Sequence, residues 1–281
     1  MCELCPRRCG VDRSSGAVGF CGAGGSAVRI SRAALHAWEE PCISGTRGSG
    51  TIFFSYCTLR CVYCQNLPVS RGIAGIEVEI SRLAEIMLEL EAQGAHNINL
   101  VTPTHYAVQI LEAIEIARRR GLSLPIVYNT GGYELSSAIE RLRGAVDIFL
   151  TDYKYATNAD ALRYSGAADY IENADAALAK MVELAPLSFS SDGLLRSGVI
   201  VRHLLLPGKL TAAKNVLKRI FTRYQNNIYY SLMSQYTPVP GVPEELNRTV
   251  TKREYACLTA YADRLGIETA YLQESTAASL R

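Results

Sequence analysis

The chain has 281 residues, 48% of them apolar, and its 29 basic against 27 acidic residues leave a formal net charge of +2. That length suits one large α/β domain or two small ones, and it buries a sizeable core. With no basic run longer than residues 118–120 there is no footprint for nucleic acid, and no apolar run approaches the ~20 residues of a membrane helix. The nine cysteines fall at metal-like spacings behind a start with no apolar leader, which fits a reducing cytoplasmic compartment.

Residues 1–45 are rich in Cys, Gly and Arg and show no clear period. They are expected to form an extension separate from a larger domain at 46–281. Within the extension, Cys2, Cys5, Cys9 and Cys21 form C-x2-C-x3-C-x11-C. A Gly-rich segment with little core of its own is a natural place for a metal staple. Four thiolates suit either structural zinc, which the closed look of the site favours, or a second 4Fe–4S cluster. His36, Glu39 and Glu40 read as a satisfied surface network, Trp38 as packing, and Cys42 has no assigned role.

From residue 51 onward, β-branched runs alternate with helical periods. Strands are expected over 51–55, 97–101, 125–129, 147–151, 199–206 and 228–233. Between them, Leu83, Ile86, Met87 and Leu90 make one apolar helix stripe, and Ala213, Val216, Leu217 and Ile220 make another. Ser81 and Gly94 read as cap and stop of the first of these. Thr251 and Glu254 read as a capping box for the last helix, closed by Gly266, whose apolar face includes Cys257. The Ser- and Gly-rich stretch 186–198 reads as a loop. Six strand–helix units imply a parallel sheet with right-handed crossovers, wound as an open sheet or curled into a partial barrel. Either way, chemistry belongs at the carboxyl ends of the strands.

Directly after the first strand stands Ser-Tyr-Cys-Thr-Leu-Arg-Cys-Val-Tyr-Cys-Gln-Asn, with Cys57, Cys61 and Cys64 spaced C-x3-C-x2-C. Three thiolates grip three irons of a cubane and leave the fourth open, whereas most clusters close the shell with a fourth cysteine. An open corner points to chemistry. A zinc site normally takes four ligands and favours paired C-x2-C spacings.

This run resembles the radical S-adenosylmethionine (SAM) superfamily, with Tyr63 at the aromatic position before its last cysteine. The resemblance implies a 4Fe–4S cluster that binds SAM through its open iron and cleaves it to a 5′-deoxyadenosyl radical. Further runs over roughly residues 36–240 are similar to pyruvate formate-lyase activating enzyme and its uncharacterised relatives. These are Asn129-Thr130-Gly131-Gly132, Thr151-Asp152-Tyr153-Lys154, and the run from Val201 through Arg202 to Pro207-Gly208. The resemblance implies a partial (β/α)6 TIM-like barrel, with Tyr63, Asn129, Thr130 and Lys154 toward SAM and Arg202 at the catalytic centre. It implies an electron donor such as flavodoxin or ferredoxin, and a glycine of a glycyl radical protein as substrate. Alternatives are a small molecule or another peptide as substrate or, in another class, an electron-transfer or cluster-carrier protein. One departure stands out. Where activases carry Gly-Gly-Glu for the SAM amine, this chain has Val101-Thr102-Pro103-Thr104-His105. Thr102 and Thr104 are candidate acceptors for that ammonium, and His105 is a candidate contact for the carboxylate. The plainer reading of Thr104 is the N-cap of a helix over 104–120.

Overall fold

The computed structural model describes residues 1–273. The chain runs through β1 (Val28–His36), α1 (Pro41–Ser44), β2 (Ser49–Phe54), α2 (Leu67–Ser70), β3 (Ile76–Val78) and α3 (Ile80–Ala92). It continues with β4 (Ile98–Val101), α4 (Ala107–Arg119), β5 (Ile126–Thr130), α5 (Ser136–Glu140), β6 (Ile148–Asp152), α6 (Asn158–Ser165) and α7 (Tyr170–Leu184). The last part holds β7 (Ser188–Phe189), β8 (Leu195–Leu204), α8 (Leu210–Tyr224), β9 (Tyr229–Met233), α9 (Lys252–Leu265) and β10 (Ala270–Gln273).

One sheet runs in the order β10-β9-β8-β6-β5-β4-β2-β1-β3. Every neighbouring pair from β2 to β10 is parallel, while β1 pairs antiparallel with β2 and β3. This is a mixed α/β fold with a mostly parallel sheet, a partial TIM-like barrel. Each of the six expected strands is present within a few residues of its expected bounds. Three features differ. Residues 28–36, expected in the extension, are β1 and pair with β2 from Ala33↔Ile52 to His36↔Ser49. The sheet therefore begins ahead of the expected boundary at 45. The stretch 186–198 is not all loop, since it holds β7 and the first turn-free residues of β8. Finally, β10 adds a parallel strand beside β9 beyond the six expected.

The helices form where apolar periods demand burial. In α3 the buried residues are Leu83, Ala84, Met87 and Leu90, one stripe facing the sheet. Its N-cap is Glu79, so Ser81 lies inside the helix and caps nothing. Thr251 and Glu254 do form a reciprocal capping box, and Gly266 ends α9 in the left-handed conformation. The buried face of α9 is Tyr255, Leu258 and Ala262, which leaves Cys257 only partly covered.

Strand alternation splits the core in two. Tyr128, Phe149, Val199 and Val201 belong to the large layer shared with the helices. Val127, Ile148, Leu150 and Ile200 point the other way and pack with Cys42 and Ile43 of α1. Thus α1 plugs the barrel floor, and Cys42, 4% exposed, is part of that plug. The same alternation carries Asn129, Asp152 and Arg202 inward, two residues above this apolar floor.

Candidate active site

The loop after β2 is held in an uncommon backbone shape. Tyr56 has φ +75°, Arg60 +50°, and Thr102 at the end of β4 +60°. For non-glycine residues, above all a β-branched one, such angles are costly and cluster at functional sites. Gly72 permits the neighbouring turn, because a Cβ there would lie 2.0 Å from the Tyr56 ring. Within the loop, the Leu59 amide donates to Cys57 Sγ at 3.4 Å. Ser165 Oγ, at the end of α6, donates to Cys61 Sγ at 3.0 Å.

Cys57, Cys61 and Cys64 line a cavity of about 210 Å3 at the carboxyl ends of the strands. Thr102, Asn129, Thr130, Lys154 and Arg202 line it too. Eight sequence-predicted residues thus share one cavity. Phe53, Leu59 and Val101 supply apolar wall. Burial pushes the Cys57 thiol up to about 11, so thiolate there requires a positive partner.

A charge network crosses the cavity. Lys154 Nζ is 2.5 Å from Asp152 Oδ2. Arg202 Nε donates to Asp152 Oδ1 at 3.1 Å, Nη1 to Glu39 Oε2 at 3.2 Å and Nη2 to Asn129 Oδ1 at 2.5 Å. Burial alone would lower the Lys154 pKa, but Asp152 and the Cys61 and Cys57 sulfurs together hold it above its ordinary value. Asp152 is held down despite burial, by Lys154 and Arg202. Its two oxygens are therefore taken up by cations. Glu39 and Glu40 are not at the surface. The Glu39 side chain is 9% exposed and Glu40 is fully buried, while Trp38 is 63% exposed rather than packed.

Three expected residues lie elsewhere. Tyr63 is buried against Tyr155, Tyr164 and Tyr236, and its hydroxyl donates to Tyr155 at 3.0 Å. Thr104 neither faces the cavity nor caps a helix. It opens a short 3-10 turn ahead of α4, and its hydroxyl donates to Glu134 Oε1 at 2.5 Å. His105 Nε2 bonds to the Ser55 carbonyl at 2.8 Å, on the far side of the loop. Sequence reading missed Glu134. Thr130 Oγ1 also donates to it at 2.5 Å, so this fully buried carboxylate sits directly behind the cavity wall. Burial pushes it up to about 7, against the hydroxyls of Thr104, Thr130 and Tyr128. The one available signal was a lone acid four residues past a strand end.

Cys2, Cys5, Cys9 and Cys21 come together on a second, small cavity, which His105 also lines. At neither cysteine cluster, nor elsewhere among the described residues, do three His, Cys, Asp or Glu side chains gather closely enough for a single metal ion.

No family model matches the chain. It is 26% identical, over 96% of its length and 76% of the relative, to an uncharacterised protein of Methanocaldococcus jannaschii. The structure is similar to that of a radical SAM methyltransferase from Sphaerobacter thermophilus, with a TM-score of 0.56 and 12% identity over 83% of this chain and 68% of the other. The two share a partial TIM-like barrel. At that identity the likeness extends to the fold and no further. Among the described residues no helix is long and apolar enough to cross a membrane.

Proposed function

We propose that the chain is a radical SAM enzyme, with a 4Fe–4S cluster on Cys57, Cys61 and Cys64 and SAM beside it. The observation that carries this is the single cavity lined by those cysteines and by Thr102, Asn129, Thr130, Lys154 and Arg202. The donor set fits: three thiols, of which burial disfavours the free thiolate at Cys57 and Cys64, face a wall carrying Lys154 and Arg202. When bound, the reduced cluster supplies the electron that cleaves SAM to a 5′-deoxyadenosyl radical.

The chain's own residues bind and orient. Lys154, charged and fixed by Asp152, offers a charge-assisted hydrogen bond to a ribose or carboxylate oxygen. Asn129 and Thr130 offer hydroxyl and amide partners at the adjacent strand end. Of the Val101-Thr102-Pro103-Thr104-His105 run, Val101 and Thr102 line the cavity, and Thr102 puts a hydroxyl there for the SAM amine in place of a carboxylate. Arg202, with three acceptors, braces the cavity base. The apolar wall excludes water from a reactive intermediate.

Hydrogen abstraction from a glycine Cα of a glycyl radical protein is the first substrate to test, on the resemblance of the 129–132, 151–154 and 201–208 runs to activases. A small molecule or another peptide is the alternative. Flavodoxin or ferredoxin would donate the electron. The test is anaerobic reconstitution, dithionite reduction and assay for 5′-deoxyadenosine. The product should vanish in Cys61→Ala, and wild-type yield from that variant rejects the assignment. Absence of SAM binding by calorimetry would instead favour an electron carrier. A glycyl radical signal in an added partner protein separates activase from other chemistry.

A further inference from the structure

The N-terminal cysteines carry features that the reaction above does not use. Their sulfurs are hydrogen-bond acceptors. The Phe20 amide donates to Cys9 Sγ at 3.2 Å, and the amides of Arg7 and Ala23 donate to Cys5 and Cys21. The same residue-plus-two pattern recurs at Cys57 with Leu59 and at Cys64 with Asn66. Such donors favour the charged sulfur, though burial outweighs them and raises the Cys5 and Cys21 thiols. Gly19 is required here, since a Cβ on it would stand 2.8 Å from Cys9 Sγ. Arg7, Arg8 and Arg13 line the same cavity.

An independent observation comes from His105. Its Nε2 lies against a carbonyl and must be the donor, which leaves Nδ1 as a lone pair. That atom is buried with no hydrogen-bond partner, on a side chain 2% exposed that lines the cysteine cavity. A buried acceptor without a partner calls for a ligand.

The segment is also tied to the loop of the first site. Arg7, between Cys5 and Cys9, donates through Nε to Thr58 O at 2.9 Å, through Nη2 to Ser165 O at 2.7 Å and through Nη1 to Gly166 O. Its guanidinium stacks 3.9 Å from the Phe20 ring centroid. Arg60, beside Cys61, donates to Cys21 O at 3.0 Å. Ser165, gripped by Arg7 through its carbonyl, bonds Cys61 through its hydroxyl.

We propose that Cys2, Cys5, Cys9 and Cys21, with His105 Nδ1, supply the ligands of a second metal centre, and that Arg7 couples it to the 57–64 loop. Since no three of these side chains gather around a single ion, and a cluster takes four ligands, the chemistry is that of an iron–sulfur cluster held by four of these five donors rather than zinc. Ordering the Cys5–Cys9 turn around a metal sets Arg7 in place, and Arg7 then holds the three carbonyls that frame the first site. The coupling rests on the radical SAM reading, but the metal centre does not.

The experiment uses the full chain with Cys57, Cys61 and Cys64 all changed to Ala, so that any retained metal belongs elsewhere. Zinc and iron are both measured in protein purified without oxygen. About one cluster of iron is expected, and it should be lost when Cys5→Ala and Cys21→Ala are added; zinc in its place overturns the cluster. Circular dichroism checks that the fold survives. A metal-free triple variant, or metal retained after the added changes, overturns the centre. Failure of the radical SAM reading would show differently, as a wild-type chain that holds this metal yet cleaves no SAM. The coupling is read in Arg7→Ala by hydrogen exchange of residues 57–64 and 165–166, which needs no cluster. Exchange there should quicken by roughly tenfold or more, as expected for lost hydrogen bonds from a charged donor, with the second metal retained and Arg7→Lys giving partial rescue. Exchange rates equal to wild type overturn the coupling.

Discussion

Lys154 and Arg202 are two cations sharing one carboxylate, and the sharing sets what each is free to do. Arg202 spends its donors on Asp152, Glu39 and Asn129, whereas the Lys154 ammonium has one carboxylate contact and further donors to offer. Lys154→Ala should therefore weaken SAM binding by roughly tenfold or more, the worth of one charge-assisted bond. Calorimetry that finds wild-type affinity would remove Lys154 from the cofactor site. Glu134 leads to a second expectation. Its folded pKa is raised by burial to about 7 from the ordinary 4.5. A raised acid binds its proton more tightly when folded. Its stabilising share is full below the unfolded value and is lost as pH climbs through the folded one. Relative to Glu134→Gln, the wild type should lose stability from about pH 5 to pH 8, by at most about 3 kcal/mol. Urea midpoints for the two chains that stay parallel over that range would show that Glu134 does not titrate there. The same residue explains a misreading. Thr104 looks like a cap or a ligand when only neighbours in sequence are visible, but its partner lies 30 residues on. That the three cysteines, Asn129, Thr130 and Lys154 share one cavity was legible because each stands at the end of a strand or in the loop after it.

At the scale of elements, periodicity was legible wherever one face is buried along several turns. The stripes of α3 and α8 and the β-branched runs of β2, β4, β5, β6, β8 and β9 are of this kind. Elements that the sheet dictates from outside were not. In β1 only Val28 and Ile30 are buried, and they stand next to a Gly-rich segment. The short β10 has no fully buried residue and is fixed by its pairing with β9. Ser81 was misjudged for a related reason: a Ser near a helix start is a cap only if the chain turns there, and this helix already begins at Ile80. The cap at the other end of the protein allows a direct test. Thr251 Oγ1 accepts from the Glu254 amide at 3.2 Å, and Glu254 Oε2 accepts from the Thr251 amide at 2.9 Å. Glu254 also receives the Gly208 amide at 2.8 Å, which ties α9 to the turn after β8. Thr251→Ala should cost about 1 kcal/mol, within the usual range for a lost N-cap. A chemical denaturation midpoint equal to wild type would mean that the Glu254 bonds hold the helix start alone.

Across the whole molecule, the expected boundary between extension and barrel falls where the structure shows continuity. Strand β1 covers one side of β2 and carries β3 on its other edge. The segment that follows it fills the barrel floor with Cys42 and Ile43 and sends Glu39 up to Arg202. Sequence composition concealed this, because residues that pack inside a barrel mouth need no amphipathic period of their own. A chain starting at residue 46 would thus lose an edge strand, the floor plug and one partner of a buried ion pair together. Breaking a buried pair alone typically costs about 3–5 kcal/mol, since the remaining charge is left uncompensated. Added to an exposed face of β2, that is of the order of a domain's entire stability, about 5–15 kcal/mol. The shortened chain should therefore lack a cooperative thermal transition, whereas Glu39→Gln in the full chain should keep one at a lower midpoint. If the shortened chain melts cooperatively near the wild-type temperature, the first 45 residues are a true extension, and the barrel stands without them.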